Sequence, residues 1–354
     1  MTRAAILVEQ NWNAVPGGTA RSVNSLLDAL TAHTELDLVG LALRHRQNPV
    51  LELPSGLELE SIPLPARVTV QSWNRTGRPS IDRWFEADVV HAPAYVIPGT
   101  SKPLVVTIHD LAFVRHPEWF TAHGVGFFNR FLAQVVASDA AVIVPSAATA
   151  DDCVLAGIDE TRISTIPWGS NARPVPDDEA QRVRLAHGLP EEFVLYVGTL
   201  EPRKNLAMLG AAMSLIDQPI PLVVVGPAGW GDVEIANAIV LGEVSTRDVA
   251  ALMAQATVLA YPSHFEGFGL PVLEAMAQGT PVIVTQNTAP AEIARDAGIA
   301  VDTRSARAIA GAVDELVRDP ALRDEMGARG RARARGYDWA TTAEDTAAIY
   351  RSVL

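Results

Sequence analysis

Short, nearly unbroken apolar runs alternate along this chain with stretches whose apolar residues recur at helical spacing. In the first half the runs are AAILVE (4–9), LVGLAL (38–43), DVVHAP (88–93), LVVTIHD (104–110), AAVIVPS (140–146) and ISTIPWG (163–169). In the second they are FVLYVGT (193–199), PLVVVGP (221–227), AIVLGEV (238–244), TVLAYPS (257–263), PVIVTQN (281–287) and GIAVD (298–302). Continuous apolar runs bounded by Gly and Pro suit strands of a parallel sheet covered on both faces. Their alternation with helical patterns predicts a doubly wound α/β fold.

The pattern occurs twice, with a polar, proline-rich break at GSNARPVPDDEAQ (169–181). It predicts two Rossmann-like domains, 1–170 and 171–336. A terminal amphipathic helix follows over 337–354, with the sparse apolar positions Ala343, Ala347, Ile349 and Tyr350. Ligands of such folds lie at the carboxyl ends of the strands. Two domains with facing carboxyl ends would enclose a cleft, so the residues that follow the strands are the informative ones.

The bulk numbers narrow the class. At 354 residues the chain exceeds one ordinary core and suits two. No apolar run approaches the roughly 18 residues that span a bilayer. The start, MTRAAILVEQNWN, turns polar too soon for a signal peptide and reads as a first strand. A single cysteine, Cys153, excludes an internal disulfide and points to a reducing cytoplasm. The net charge is −13, with 12 basic and 17 acidic residues before Trp168 and 16 and 24 from there on. Neither half is basic, which argues against a nucleic-acid partner. Lysine occurs only at Lys102 and Lys204, so a lysine after a strand is informative.

Four loops carry candidate chemistry. After the first strand, Gly17-Gly18 precede a helix with the apolar face Val23, Leu26, Leu27 and Leu30, and Thr19 is placed to cap it. Glycines there admit a ligand close to the backbone, and first-turn amides attract an anion. A flexible connection is the plainer reading, and the lack of Gly-x-Gly-x-x-Gly argues against a dinucleotide dehydrogenase. His109-Asp110 end the fourth run of the first half. Gly198-Thr199 end the first run of the second half and lead to Glu201, Arg203 and Lys204. Arg203 offers a bidentate pair to a phosphate and Lys204 a point charge; a surface ion pair of Arg203 with Glu201 is the competing reading.

The fourth loop is SHFEGFGLPVLEAMAQGTPVI (263–283). A strand hands over to a helix with Pro271 near its first position and Gly279 as its stop. Gly267, Phe268, Gly269 and Leu270 would present amides to a diphosphate. Glu266 and Glu274 would suit sugar hydroxyls on its two sides. Ordinary acid placement at a helix start is the alternative.

This set resembles the family 4 retaining glycosyltransferases of GT-B architecture, over nearly the whole chain. The most specific element is Glu-x7-Glu, Glu266 to Glu274, supported by GTLEPRKN, by VIVPSAAT (142–149) and by IPWGSN (166–171). The last is similar to the family's Pro-Asn-Gly-Val turn, with Trp168 in place of Asn. The resemblance implies an acceptor-binding N-domain, a nucleotide-sugar-binding C-domain and a terminal helix crossing back onto the N-domain. It implies that Gly17 and Gly18 line the diphosphate and that His109 touches the donor sugar. Arg203 and Lys204 would neutralise the diphosphate, Glu266 bind sugar hydroxyls, Glu274 the ribose, and Val244 border the base. TIHDLAFVRHPEWF and GPAGWGD (226–232) look most like a mannosyltransferase B-like branch that uses GDP-mannose.

The expected activity is transfer of a hexose to a glycan or lipid-linked acceptor for a cell-envelope polysaccharide or glycolipid. Retention is expected, with protein cations in place of a metal and no cofactor, since no Asp-x-Asp follows a buried run. UDP-, ADP- or dTDP-sugars, a GT-B epimerase or phosphorylase, and a non-catalytic binding protein are the alternatives. Two stretches, 67–85 with Arg67, Arg75, Arg78, Arg83, Trp73, Trp84 and Phe85, and 117–132 with Trp119, Phe120, Phe127, Phe128 and Phe131, suggest peripheral membrane contact. The plainer reading makes these aromatics core.

Overall fold

The computed structural model describes residues 1–13, 17–229, 235 and 238–354. These divide into two compact units: Met1–Gly169 with Asp338–Leu354, and Ser170–Tyr337.

The first unit is built on seven parallel strands: β1 (Arg3–Leu7), β2 (Asp37–Arg44), β3 (Glu58–Pro65), β4 (Val89–Ala92), β5 (Leu104–Thr107), β6 (Ala141–Val144) and β7 (Ile163–Thr165). Their order is β3-β2-β1-β4-β5-β6-β7. The apolar runs of β1, β4, β5 and β6 are buried on both faces, as helices on each side of the sheet require. β3 lies outside the expected runs. It is an edge strand paired only with β2, and its ELESIPLP alternates exposed polar positions with Ile62 in the core. Two prolines are tolerated there because an edge strand leaves one row of amides unpaired.

The helix Trp339–Ser352 belongs to this unit and packs along the helix Gly17–His33. Small residues make the close approach: Ala343 and Ala347 are fully buried. Tyr350 drives through to the sheet, where its hydroxyl meets Nδ1 of the buried His91 at 2.7 Å. His91 Nε2 meets Thr107 Oγ1 at 2.8 Å. Gly169 is fixed by the same helix: a Cβ there would stand 2.3 Å from the Trp339 amide nitrogen. Trp168 is buried beside Trp339, their rings 6.0 Å apart.

The second unit holds β8 (Val194–Val197), β9 (Leu222–Val225), β10 (Ala238–Gly242), β11 (Val258–Tyr261), β12 (Val282–Thr285) and β13 (Gly298–Val301). The order is β10-β9-β8-β11-β12-β13, all parallel. The chain winds outward from β8 in one direction and from β11 in the other. The β8/β11 boundary is therefore the topological switch point, where α/β sheets leave a crevice beyond the carboxyl ends. No helix among the described residues is long and apolar enough to cross a membrane.

Candidate functional site

At that switch point the loops after β8 and β11 meet, and four charged side chains come together. The loop after β8 closes in a tight turn, Pro202–Lys204, which hands over to the helix Leu206–Met213 through Asn205 at φ +60°. The Asn205 side-chain amide donates to the Pro262 carbonyl at 3.2 Å and the Thr303 carbonyl at 2.9 Å, stitching this turn to the loops after β11 and β13. The His264 amide donates to the Arg203 carbonyl at 2.9 Å.

Lys204 is thereby buried. Its Nζ lies 2.5 Å from Glu266 Oε1 and donates to the Tyr261 hydroxyl at 3.0 Å. Arg203, 21% exposed in its side chain, donates from Nη1 to Glu266 Oε2 at 3.1 Å and to the Phe265 carbonyl at 3.2 Å. Its Nε forms an ion pair with Glu201. The competing reading of that pair as a surface contact fails, because Glu201 is 2% exposed.

The titration behaviour follows from burial and charge. Burial alone would raise the Glu266 carboxyl, but Lys204 and Arg203 outweigh it and hold its pKa at about 2. Burial lowers the Lys204 ammonium against the pull of Glu266. Burial raises the Glu201 carboxyl against Arg203 and Lys204. Tyr261 and Tyr196 stack with ring centroids 6.2 Å apart beneath the cluster, and burial raises both phenols.

The glycine-rich turn completes the site. Gly267, Phe268 and Gly269 are buried and lead into the helix Leu270–Gln278. Gly269 sits at φ +114°, and a Cβ there would come within 2.9 Å of the Pro290 ring. No side chain caps this helix, so its first amides are not taken up by a cap. Glu274 lies one turn into it, half-buried. Val244 is half-buried in the loop between β10 and the helix Thr246–Gln255. Among the described residues no three His, Cys, Asp or Glu side chains gather to hold a metal ion.

The other expected residues stand on the first unit. Gly17 and Gly18 do not precede the helix; they open it, which puts Thr19 inside the first turn rather than at the cap. Both glycines are exposed, and a Cβ on either would meet nothing within 4 Å. His109 follows β5 by two residues, is buried, and its Nε2 lies 2.6 Å from the Pro93 carbonyl. Its ring packs against Trp168 at 5.4 Å. Burial lowers its pKa, against the Pro93 carbonyl and Asp110. Asp110 is spent on its own turn, accepting from the Ala112 amide at 3.0 Å.

Of the aromatic stretches, Trp73, Phe85 and Phe131 are core, and Phe128 packs on Tyr95 and Phe113. Arg67, Arg75, Arg78 and Arg83 are exposed. Trp230 to Asp232 of the GPAGWGD stretch and residues 14–16 lie outside the described residues.

Sequence reasoning missed Tyr261 as the hydroxyl that receives Lys204, and it cast Glu201 only as a surface partner. The one available signal was position: Tyr261 is the last residue of β11, where a side chain reaches the crevice.

Comparison with known proteins gives concordant matches. The family model described as Glycosyl transferases group 1 matches residues 177–333, and that described as Glycosyltransferase Family 4 matches residues 16–172. The chain is 28% identical over 290 residues to the O-antigen chain mannosyltransferase B of Escherichia coli, covering 76% of this chain and 75% of that one. It is 31% identical over 307 residues to the D-inositol 3-phosphate glycosyltransferase of Acidothermus cellulolyticus, covering 77% and 68%. A crystal structure of Anabaena HepE with UDP and glucose shares the two-unit GT-B fold at a TM-score of 0.73 and 19% identity, over 99% of this chain and 100% of that one.

Proposed function

The chain belongs to the group 1 and family 4 glycosyltransferases and is a hexosyltransferase; from that premise we propose that it moves mannose from GDP-mannose to a glycan or lipid-linked acceptor, with retention and without a metal. The observation that carries the reading is the convergence of Arg203 and Lys204 on Glu266 at the mouth of the Leu270–Gln278 helix. Mannose is supported by the Escherichia coli relative named O-antigen chain mannosyltransferase B. Guanine as the base is supported by the resemblance of TIHDLAFVRHPEWF and GPAGWGD to the same branch.

The difficult step is departure of the nucleoside diphosphate from the anomeric carbon, through an oxocarbenium-like transition state. Negative charge grows on the leaving oxygens. Arg203 and Lys204, with the uncapped amides at Gly269–Leu270, supply fixed positive potential there. Glu266 holds both cations and takes the sugar hydroxyls; Glu274 takes the ribose, and Val244 borders the base. His109 touches the donor sugar, and Gly17 and Gly18 line the diphosphate, on the family resemblance. A same-face route, in which the leaving phosphate accepts the acceptor's proton, needs no enzymic nucleophile.

The test is a thermal-shift panel of GDP, UDP, ADP and dTDP with a sugar-transfer assay in excess EDTA. A nucleotide at about 100 times its Kd adds about 2.7 kcal/mol. GDP should give the largest shift and transfer should persist in EDTA. A larger shift with another base reassigns the donor, and complete loss in EDTA contradicts the metal-free reading. Peripheral membrane contact, proposed for the exposed Arg67, Val68 and Arg75 of the helix Ala66–Thr76, is tested by co-sedimentation with anionic vesicles; no binding ends it.

A further inference from the structure

Glu201 is a buried carboxylate that the proposed mechanism does not use. It stands at the N-terminal end of the turn Pro202–Lys204 but makes no capping hydrogen bond with its side chain. Burying an ion costs several kcal/mol unless a partner offsets it. The charges that offset Glu201 are Arg203, which it pairs through Nε, and Lys204 further off. Arg203 is thus held along two edges of its guanidinium: Nε against Glu201, and Nη1 against Glu266 and the Phe265 carbonyl. A guanidinium anchored on one edge swings about its stem; one anchored on two has a fixed plane.

We propose that Glu201 is a positioning residue that locks the plane of Arg203 so that the guanidinium meets the departing diphosphate already aligned. The inference rests on the donor-binding reading of Arg203. It has a distinct kinetic signature. Removing the Glu201 charge makes the cluster more positive, so ground-state attraction for a diphosphate is kept. What is lost is alignment in the transition state, which lowers kcat and spares KM.

The experiment compares wild type, Glu201→Gln, Arg203→Ala and the double variant in steady-state transfer, with circular dichroism melts as the folding control. Glu201→Gln should lower kcat by about 10- to 100-fold, the scale of a disturbed preorganised donor, with donor KM unchanged or lower. In the Arg203→Ala background the same substitution should change kcat less than about threefold, since the two act through one group. Guanidinium ion should restore part of the rate to Arg203→Ala and not to the double variant. Should Glu201→Gln not fold, Glu201→Asp keeps the charge on a shorter arm and should show a smaller loss of the same pattern. Wild-type kcat in the Glu201 variant, or an equal loss with and without Arg203, overturns the proposal. A wild-type rate in Arg203→Ala instead refutes the donor-binding reading beneath it.

Discussion

Replacing Glu266 with Gln removes the negative charge that buried Lys204 and half-buried Arg203 both contact directly. At an effective dielectric of about 20, a contact of 2.5 Å to Lys204 and one of 3.1 Å to Arg203 are worth about 7 and about 5 kcal/mol before desolvation is subtracted. The net is smaller. A carboxyl held at about 2 instead of its usual 4.5 gains on the order of 3 kcal/mol from folding. Glu266→Gln should therefore cost the Ser170–Tyr337 unit about 3 kcal/mol, the low end for breaking a buried pair. For a unit of this size that is a fall in Tm of about 6–12 °C. The sign with pH is fixed, because the folded pKa is depressed. The stabilisation is complete above about 4.5 and lost as pH falls through about 2. The assay is urea unfolding of both proteins between pH 7 and pH 2.5, with GDP binding measured at pH 7. The stability gap should be full at pH 7 and shrink below pH 4.5, while GDP affinity holds or rises because the local potential becomes more positive. A pH-independent gap, or GDP affinity weakened more than about tenfold, refutes the assignment of Glu266 as the neutralising partner.

Three further predictions concern the first unit. Gly169→Ala drives a Cβ to 2.3 Å from the Trp339 amide nitrogen, so the helix Trp339–Ser352 must shift. Loss of about 3 kcal/mol or more is expected in a denaturant melt, and wild-type stability would show that the helix packs elsewhere. Burial, with a smaller push from His109, lowers the pKa of His91 to about 3. The folded state therefore holds it neutral, and stability falls as pH drops from about 6.5 toward 3, by on the order of 5 kcal/mol. Tyr350→Phe should cost a further 1–3 kcal/mol, roughly, by leaving a ring nitrogen unpaired; equal melting of the two proteins would contradict the bond.

Much of this was legible because parallel strands covered on both faces must be apolar throughout. Twelve runs of that kind lie along the chain, and each holds a strand of the two sheets. β3 was not legible, since an edge strand with two prolines carries neither a continuous nor a cleanly alternating signal. The terminal helix showed few apolar positions because alanine and a tyrosine hydroxyl do its packing. Glu266 and Lys204 were singled out by their places after strands, whereas their pairing is a tertiary fact that no spacing encodes. Glu201 misled for the same reason: an acid two residues before an arginine usually marks a surface pair, and only the meeting of the β8 and β11 loops buries it. The dual role of His109 in packing and in a carbonyl contact was likewise hidden until Pro93 and Trp168 were placed beside it.

The central claim is that the protein cations Arg203 and Lys204 at the switch point of the second sheet grip a nucleoside diphosphate. Isothermal titration of GDP and of guanosine into wild type and into Lys204→Met, which keeps the length and apolar stem of the side chain, tests it most directly. The account predicts that GDP binding weakens by about 30-fold or more, the scale of about 2 kcal/mol for losing a buried charged partner, while guanosine binding is unchanged. Equal GDP affinity in the two proteins would contradict it.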